Sequence, residues 1–298
     1  MGNEISLKFF IDTTWRYKFF IIIFTLTFSF GSILYSLNIP NVYRSVAILS
    51  PASTGESSKQ SLPTGLGSLA SFTGISMSGS NVSIASESIK IMRSYEFFNS
   101  LLNDDNQMLI NLFAVKSWDQ KNNLLIYNTE VYDTTTNTFI VKTPSTQEAF
   151  KEFKKFFSVQ EDKKNGFFTV TVEHFSPHVA KKWAEDVVMR INSFMREEKK
   201  KEFRKSIEFI ESQIISTTIS ESRLALISLL QSQMQKEMYA ERSPEFVFKV
   251  LDAPYASEFK ARPSRSNIVL VSTFIAFIMS LIISLATRFF VEYKKVSS

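Results

Sequence analysis

Both histidines of this 298-residue chain, His174 and His178, stand four residues apart in "VEHFSPHVAKKWAED". On a helix, that spacing sets two imidazoles on one face, where they can ligate a zinc-like ion and activate water. Whether they do so depends on the elements that carry them. "GFFTVTVEHF" alternates, so Phe168, Val170, Val172 and His174 share one face of a strand. Ser176 is then a good helix N-cap, and Pro177 suits the first helical position. Ala180, Trp183, Ala184, Val187, Val188, Ile191 and Met195 recur at spacings of 3 and 4 and predict the buried face of the helix that follows. His178 lies about 200° around that helix from Ala180 and faces away from the core. The pair straddles a strand-to-helix junction, so the expectation is a packed or hydrogen-bonded His174, with no metal and no cofactor.

Other chemistries find little support. The chain has no cysteine, which removes thiol, disulfide and Cys-zinc chemistry and is compatible with a bacterial periplasm. The "GLG" in the Ser-, Gly- and Thr-rich stretch at 51–83 lacks the Gly-Lys-Ser/Thr ending of a phosphate-binding P-loop and reads as loop. A net charge of +5 is modest and partly spent on membrane flanks, which argues against nucleic acid as a partner.

Two uncharged runs frame the chain. "FFIIIFTLTFSFGSILYSL" at 19–37 and "IVLVSTFIAFIMSLIISLAT" at 268–287 each match the hydrocarbon thickness of a bilayer, about 30 Å. The first is too long for a signal-peptide core, and no small-x-small cleavage site follows it. Lys8, Arg16 and Lys18 precede it and only Arg44 follows closely, so the amino terminus is expected in the cytoplasm, and two spans return the carboxyl terminus there. The expected organisation is a cytoplasmic segment at 1–18, a transmembrane helix at 19–37, a periplasmic α/β base domain at 38–176, and a long helix with a helical hairpin at 177–244. A return strand and membrane approach at 245–267, a second transmembrane helix at 268–287 and a cytoplasmic end at 288–298 complete it.

Within the exported part, "VYRSVAILS" predicts a strand, and Ile84, Ile91, Phe98 and Leu102 mark a single helix over 84–102. "LLIYNTEVY" and "TFIVKT" flank the turn "DTTTN" and predict a hairpin. Ser145 with Glu148 forms a capping box for a short helix that buries Phe150, Phe153 and Phe157. "REEKKKE" is a solvated helical stretch with a Glu197–Lys201 pair. Beyond it, Phe203, Ile207, Ile210 and Ile214 form a narrow stripe suited to one partner helix, and Ile227, Leu230, Met234 and Met238 form a second. A turn is expected at Thr217 and Thr218, with a capping box from Thr218 to Glu221, because an unbroken helix could not bring the chain back to the bilayer. "EFVFKVLDA" then predicts a strand that joins the sheet.

The chain resembles the Wzz-type polysaccharide co-polymerases, the chain-length determinants of bacterial surface glycans. The resemblance runs from "YRSVAILSP" through "LFAVKSWD" and "NTEVYD" to "SPHVAKKWAEDVVMRINSFMRE" and "EFVFKVLDAP". It is most specific at Ser176, Pro177, Ala180, Trp183, Ile191, Asn192, Met195 and Arg196, and again at "DAPYASEFKARPSR", with Asp252, Pro254, Pro263 and Arg265. Only two prolines stand in that last stretch, where the family often carries several. The chain is also short for the family, which implies an abbreviated hairpin. The resemblance implies an α+β membrane protein in which two transmembrane helices flank a periplasmic α/β base domain with an extended helical hairpin. It also implies a homo-oligomeric ring in the inner membrane that works with a Wzy-type polysaccharide polymerase on a lipid-linked glycan. Such a ring would set the length of lipopolysaccharide O-antigen or a related polymer without catalysis. A membrane adaptor that activates a separate cytoplasmic tyrosine kinase in capsule or exopolysaccharide export is an alternative, and so is a glycan hydrolase built on two carboxylates.

In the second span, Ser272, Ala276, Ser280 and Ser284 recur every four residues, and such a small-residue stripe is expected to face another helix in the membrane. Thr27 and Gly31 of the first span offer a matching surface, within one protomer or between neighbours.

Overall fold

The computed structural model describes residues 7–52 and 80–297, so the Gly-Leu-Gly loop falls outside the described residues. Helix α1 (Leu7–Arg16) is followed by α2 (Lys18–Asn38), and strand β1 (Val42–Pro51) comes next. The helix expected over 84–102 is two helices, α3 (Ser80–Met92) and α4 (Tyr95–Asp104). Ser94 breaks it: its extended backbone starts a new helix, and its hydroxyl accepts from the Phe97 amide at 3.2 Å. Helix α5 (Asn106–Phe113) is capped in the same way by Asp105.

Strand pairing differs from expectation in the next stretch. β2 (Val115–Asp119) pairs with β3 (Leu124–Tyr127), whereas "DTTTN" closes only the two-residue ladder of β4 (Tyr132–Asp133) with β5 (Thr138–Phe139). Each turn carries an asparagine in the left-handed region, Asn123 at φ 51° and Asn137 at φ 54°, a conformation this side chain tolerates well. The expected capping box is present at α6 (Thr146–Phe156): the Glu148 carboxylate accepts from the Ser145 amide at 2.7 Å, while the Ser145 hydroxyl accepts from the Glu148 amide. β6 (Phe157–Asp162) and β7 (Phe167–His174) form a hairpin whose turn needs Gly166 at φ 70°. The long helix α7 (Pro177–Ser216), α8 (Ser220–Arg242), β8 (Phe248–Asp252), β9 (Lys260–Arg262) and α9 (Arg265–Ser297) complete the described chain.

The chain divides into two compact units, residues 43–259 and the pair 1–42 with 260–298. In the first unit the strands run in the order β6-β7-β1-β8, and each neighbouring pair is antiparallel. One face of this sheet presents Val159, Phe168, Val170, Val172, Ala47, Leu49 and Phe248, all buried, and α7 covers it with Trp183, Ala184, Val187, Val188, Ile191 and Met195. The expected apolar face of that helix is thus the observed one. Burying a large side chain of this kind is worth about 1.5–3 kcal/mol, and the cluster continues into α3, α4 and α6 through Met92, Phe97, Phe98 and Phe153.

Past Met195, α7 runs along α8, with Phe203 still packed against the central cluster and Lys199 Nζ 3.7 Å from Glu87 of α3. The chain turns at Thr217, as expected, but the capping box does not form: Ile219 is the N-cap residue of α8 and makes no side-chain cap. Of the first stripe, Ile210 is buried. The second stripe is rotated. Leu230 of the expected stripe is half-buried, but Leu226, Leu229 and Ala240 turn inward with it while Ile227, Met234 and Met238 are exposed, because apolar residues on both sides of α8 offer two seams of similar quality. The Glu197–Lys201 pair is replaced by Lys201–Glu198 at 2.8 Å and Lys200–Glu197 at 3.8 Å.

In the second unit α2 packs along α9. Both are long and apolar enough to cross a membrane, and only 11% and 17% of their most apolar windows are buried, so their outer surfaces suit hydrocarbon and not a soluble core. An arginine ties each end of α9 to the amino-terminal segment: the Arg265 guanidinium donates to Asn41 Oδ1 at 3.1 Å, and that of Arg288 donates to Thr13 Oγ1 at 2.7 Å. The two arginines lie about 35 Å apart along the helix, just beyond the hydrocarbon thickness.

Candidate functional site

Of the residues picked out by the sequence, His174, Ser176, Pro177, Ala180 and Trp183 lie together where β7 turns into α7. His174 is 1% exposed, with its ring 4.9 Å from that of Trp183 in an edge contact. Its Nδ1 accepts from the Ser176 amide at 3.0 Å, so the proton sits on Nε2, which donates to the Asn111 carbonyl at 3.0 Å. Burial lowers its pKa to about 4, although the Asn111 carbonyl works against the shift. Both ring nitrogens are therefore engaged in holding the strand–helix corner. His178 is exposed and rests edge-on to Trp118 with ring centroids 6.0 Å apart. Among the described residues no group of three His, Asp or Glu side chains is placed to hold a metal.

Ser176 occupies the N-cap position, but its side chain makes no cap; the strand histidine takes its amide instead. Pro177 begins the helix, and Ala180 and Trp183 are buried on its inner face, where the indole N–H finds no partner among the described residues. Asn192 has the richest set of partners. Buried at 4% exposure, its Oδ1 accepts from the amides of Val247 (2.8 Å) and Phe248 (2.9 Å), and its Nδ2 donates to the Phe248 carbonyl at 3.0 Å. One side chain of α7 thus satisfies the backbone at the start of β8 and fixes where the chain returning from the hairpin enters the sheet. Arg196 lies a turn further on, 3.6 Å from Glu197. Asp252 ends β8 and is exposed, Pro254 is buried, and Pro263 and Arg265 belong to the other unit.

A cross-strand pair was not anticipated. Arg44 and Glu173 face each other in the β1–β7 register, and Arg44 Nη2 lies 2.7 Å from Glu173 Oε1. No local pattern reveals such a pair, since its partners are 129 positions apart.

In the membrane unit, Ala276, Ser280 and Ser284 are buried and Ser272 is half-buried. Thr27 and Gly31 are exposed, and nothing approaches within 4 Å of where a Gly31 side chain would begin. Within this chain α2 instead turns inward Ile21, Thr25, Ser29, Ser32 and Ser36, and Thr273 Oγ1 lies 3.1 Å from Ser29 Oγ. The signal was a second row of small polar residues two positions away from the pair chosen.

Residues 3–104 match the model of the Wzz family, described as chain length determinant protein. That match covers about a third of the chain. The stretch includes α2, β1, α3 and α4 and ends before the Ser176–Arg196 series. Among solved structures, the chain is similar to a full-length bacterial polysaccharide co-polymerase at 12% identity and a TM-score of 0.40, covering 98% of this chain and 99% of the other. It is similar as well to a fragment of WzzB, polysaccharide co-polymerase from Salmonella Typhimurium, at 9% identity and a TM-score of 0.34, covering 74% of this chain and all of that fragment. The sequence finds no match among curated proteins.

Proposed function

We propose that this Wzz-type protein is a non-enzymatic regulator of polysaccharide chain length in a bacterial inner membrane. The observation that carries the reading is the family match over residues 3–104, which spans the first membrane helix and the strand after it. In this reading both termini are cytoplasmic and residues 38–267 are periplasmic, which agrees with the basic residues before α2. Several copies assemble into a ring beside a Wzy-type polymerase and act on a lipid-linked glycan, O-antigen or a related polymer, with no cofactor. His174 and Asn192 support a structural role, since both ring nitrogens of the one and both amide atoms of the other are spent on backbone. The test is a gel of surface polysaccharide from a strain lacking the gene. Polymer should persist with its lengths no longer clustered, and complete loss of polymer would overturn the regulator reading.

A further inference from the structure

The chain approaches the second membrane helix through Tyr255 to Ser264, and the surface of this segment is unlike that of a soluble linker. Among the described residues no aromatic side chain is more exposed than Phe259, at 81%. That exceeds Phe19 at 70% and Phe290 at 74%, whose rings stand on the outer surfaces of α2 and α9, where hydrocarbon is expected. Tyr255 is exposed as well. The local backbone holds Phe259 in this state. Ser257 Oγ donates to the Phe259 carbonyl at 2.8 Å and accepts from the Phe259 amide at 3.3 Å, so one hydroxyl closes the backbone behind the ring and leaves the ring outside. Ser45 Oγ donates to the Tyr255 carbonyl at 2.9 Å and ties the segment to the first residues of β1, seven positions past the end of α2.

Covalent reach keeps the ring near the bilayer. Helix α9 begins at Arg265, six residues after Phe259, and six residues span about 20 Å at full stretch, whatever course they take. Charge adds a second constraint. Glu258 is the one acidic residue between Tyr255 and Arg265, against Lys260, Arg262 and Arg265. Lys260 and Arg262 flank Ala261 on β9, share one face of that strand and are exposed. On the topology read from the basic residues before α2, these cations stand on the exported side, where orientation alone does not call for them. A bare ring beside two cations, a few residues from a membrane helix, matches the chemistry of the bilayer interface, which offers upper acyl chains to the one and phosphates to the others. A second copy presenting the same segment would instead set like charges against each other.

We propose, on the reading that α2 and α9 cross a bilayer, that Phe259 is an interfacial anchor: its ring enters the exported leaflet at headgroup level while Lys260 and Arg262 meet the phosphates of anionic phospholipid. The chain has no cysteine, so Phe259→Cys, Phe167→Cys and Leu26→Cys each carry a single NBD fluorophore. The full chain is reconstituted into vesicles of dioleoyl phosphatidylcholine and dioleoyl phosphatidylglycerol that contain a lipid spin-labelled either near the headgroup or deep in the acyl chain. The label at Phe259→Cys should emit to the blue of its value in water and be quenched by the shallow spin label. The label at Phe167→Cys, on the β6–β7 turn at the opposite end of β1, should do neither. Lys260→Gln with Arg262→Gln should weaken the insertion equilibrium by about fivefold for each charge lost, and vesicles of phosphatidylcholine alone should weaken it likewise. A Phe259 label as unquenched as the Phe167 label would overturn the anchor. So would a blue shift without quenching, the sign of a protein surface over the ring, whether a second copy or another partner. Quenching indifferent to both charge changes would overturn the anionic part. A Leu26 label untouched by the deep spin label would overturn the placement of α2 in the bilayer, a separate failure from a dry α2 with a wet Phe259.

Discussion

Between Pro177 and Met195 helix α7 buries nine residues against the sheet and its covering helices; from Arg196 to Ser216 it buries only Ile210. The first part is held by a core and by side chains that satisfy foreign backbone. The second is held mainly by α8, with Phe203 and the Lys199–Glu87 pair at 3.7 Å as its links to the core and α3, and by partly exposed charge pairs, such as Lys199–Glu202 at 2.8 Å and Arg204–Glu237 at 2.7 Å. Solvated pairs of this kind add little to stability, so a single unbroken helix belongs to two cooperative units of unequal strength. Helical continuity in the chain is therefore no guide to which segments unfold together.

The largest break in this contrast should come from Asn192→Ala. It strands two amides and a carbonyl at the start of β8, each buried group costing about 1–3 kcal/mol, and a loss of about 3 kcal/mol in denaturant melts is expected. A loss below about 1 kcal/mol would mean that water replaces the amide and that the return strand is positioned by something else. Acid should act on the same unit with similar force. His174 is about 4 in the folded chain and about 6.5 unfolded, so the unfolded chain takes up the proton first. Stability from this group is complete above pH 6.5, declines as pH falls from about 6.5 to about 4, and is lost by about 3 kcal/mol at most. Melts at pH 7 and 4.5 check it, since His174→Gln should flatten that part of the difference. The smallest effect belongs to the distal part: Ile210→Ala should cost about 2 kcal/mol, the low end for such a truncation. It should speed hydrogen exchange along 200–235 while leaving the exchange of β7 and β1 unchanged. If the whole chain lost protection together, the two-unit division of α7 would be wrong.

How far the sequence could be read follows the same division. Where one face is buried and the other wet, periodicity is unambiguous, and the strand at 168–174 and the helix face at 180–195 read directly. The Ser145–Glu148 box was equally plain because its chemistry is local. Reading failed where two patterns competed. On α8, Ile227, Met234 and Met238 make as good a stripe as Leu226, Leu229 and Ala240, and only the partner helix selects between them. On α2, Thr27 and Gly31 compete with Thr25, Ser29, Ser32 and Ser36 in the same way. The break at Ser94 had a visible signal, a good N-cap residue followed by Glu96 in the first turn, masked by apolar spacing that runs on across it. The bonds of Asn192 and His174 were not readable, since their partners, Val247, Phe248 and Asn111, sit 55 or more positions away.

The hairpin formed by the end of α7 and the start of α8 has a consequence for how such a chain can evolve. Its helices close on each other, and its tip, Thr217 to Ile219, contributes nothing to the central cluster. Seven residues inserted into each helix would preserve the face that meets the partner and lengthen the arm by about 10 Å, while the register of every strand stays as it is. Height is thus a dimension that insertion and deletion can tune without renegotiating the fold below, and homologues should vary in arm length far more than in the β7–α7 corner.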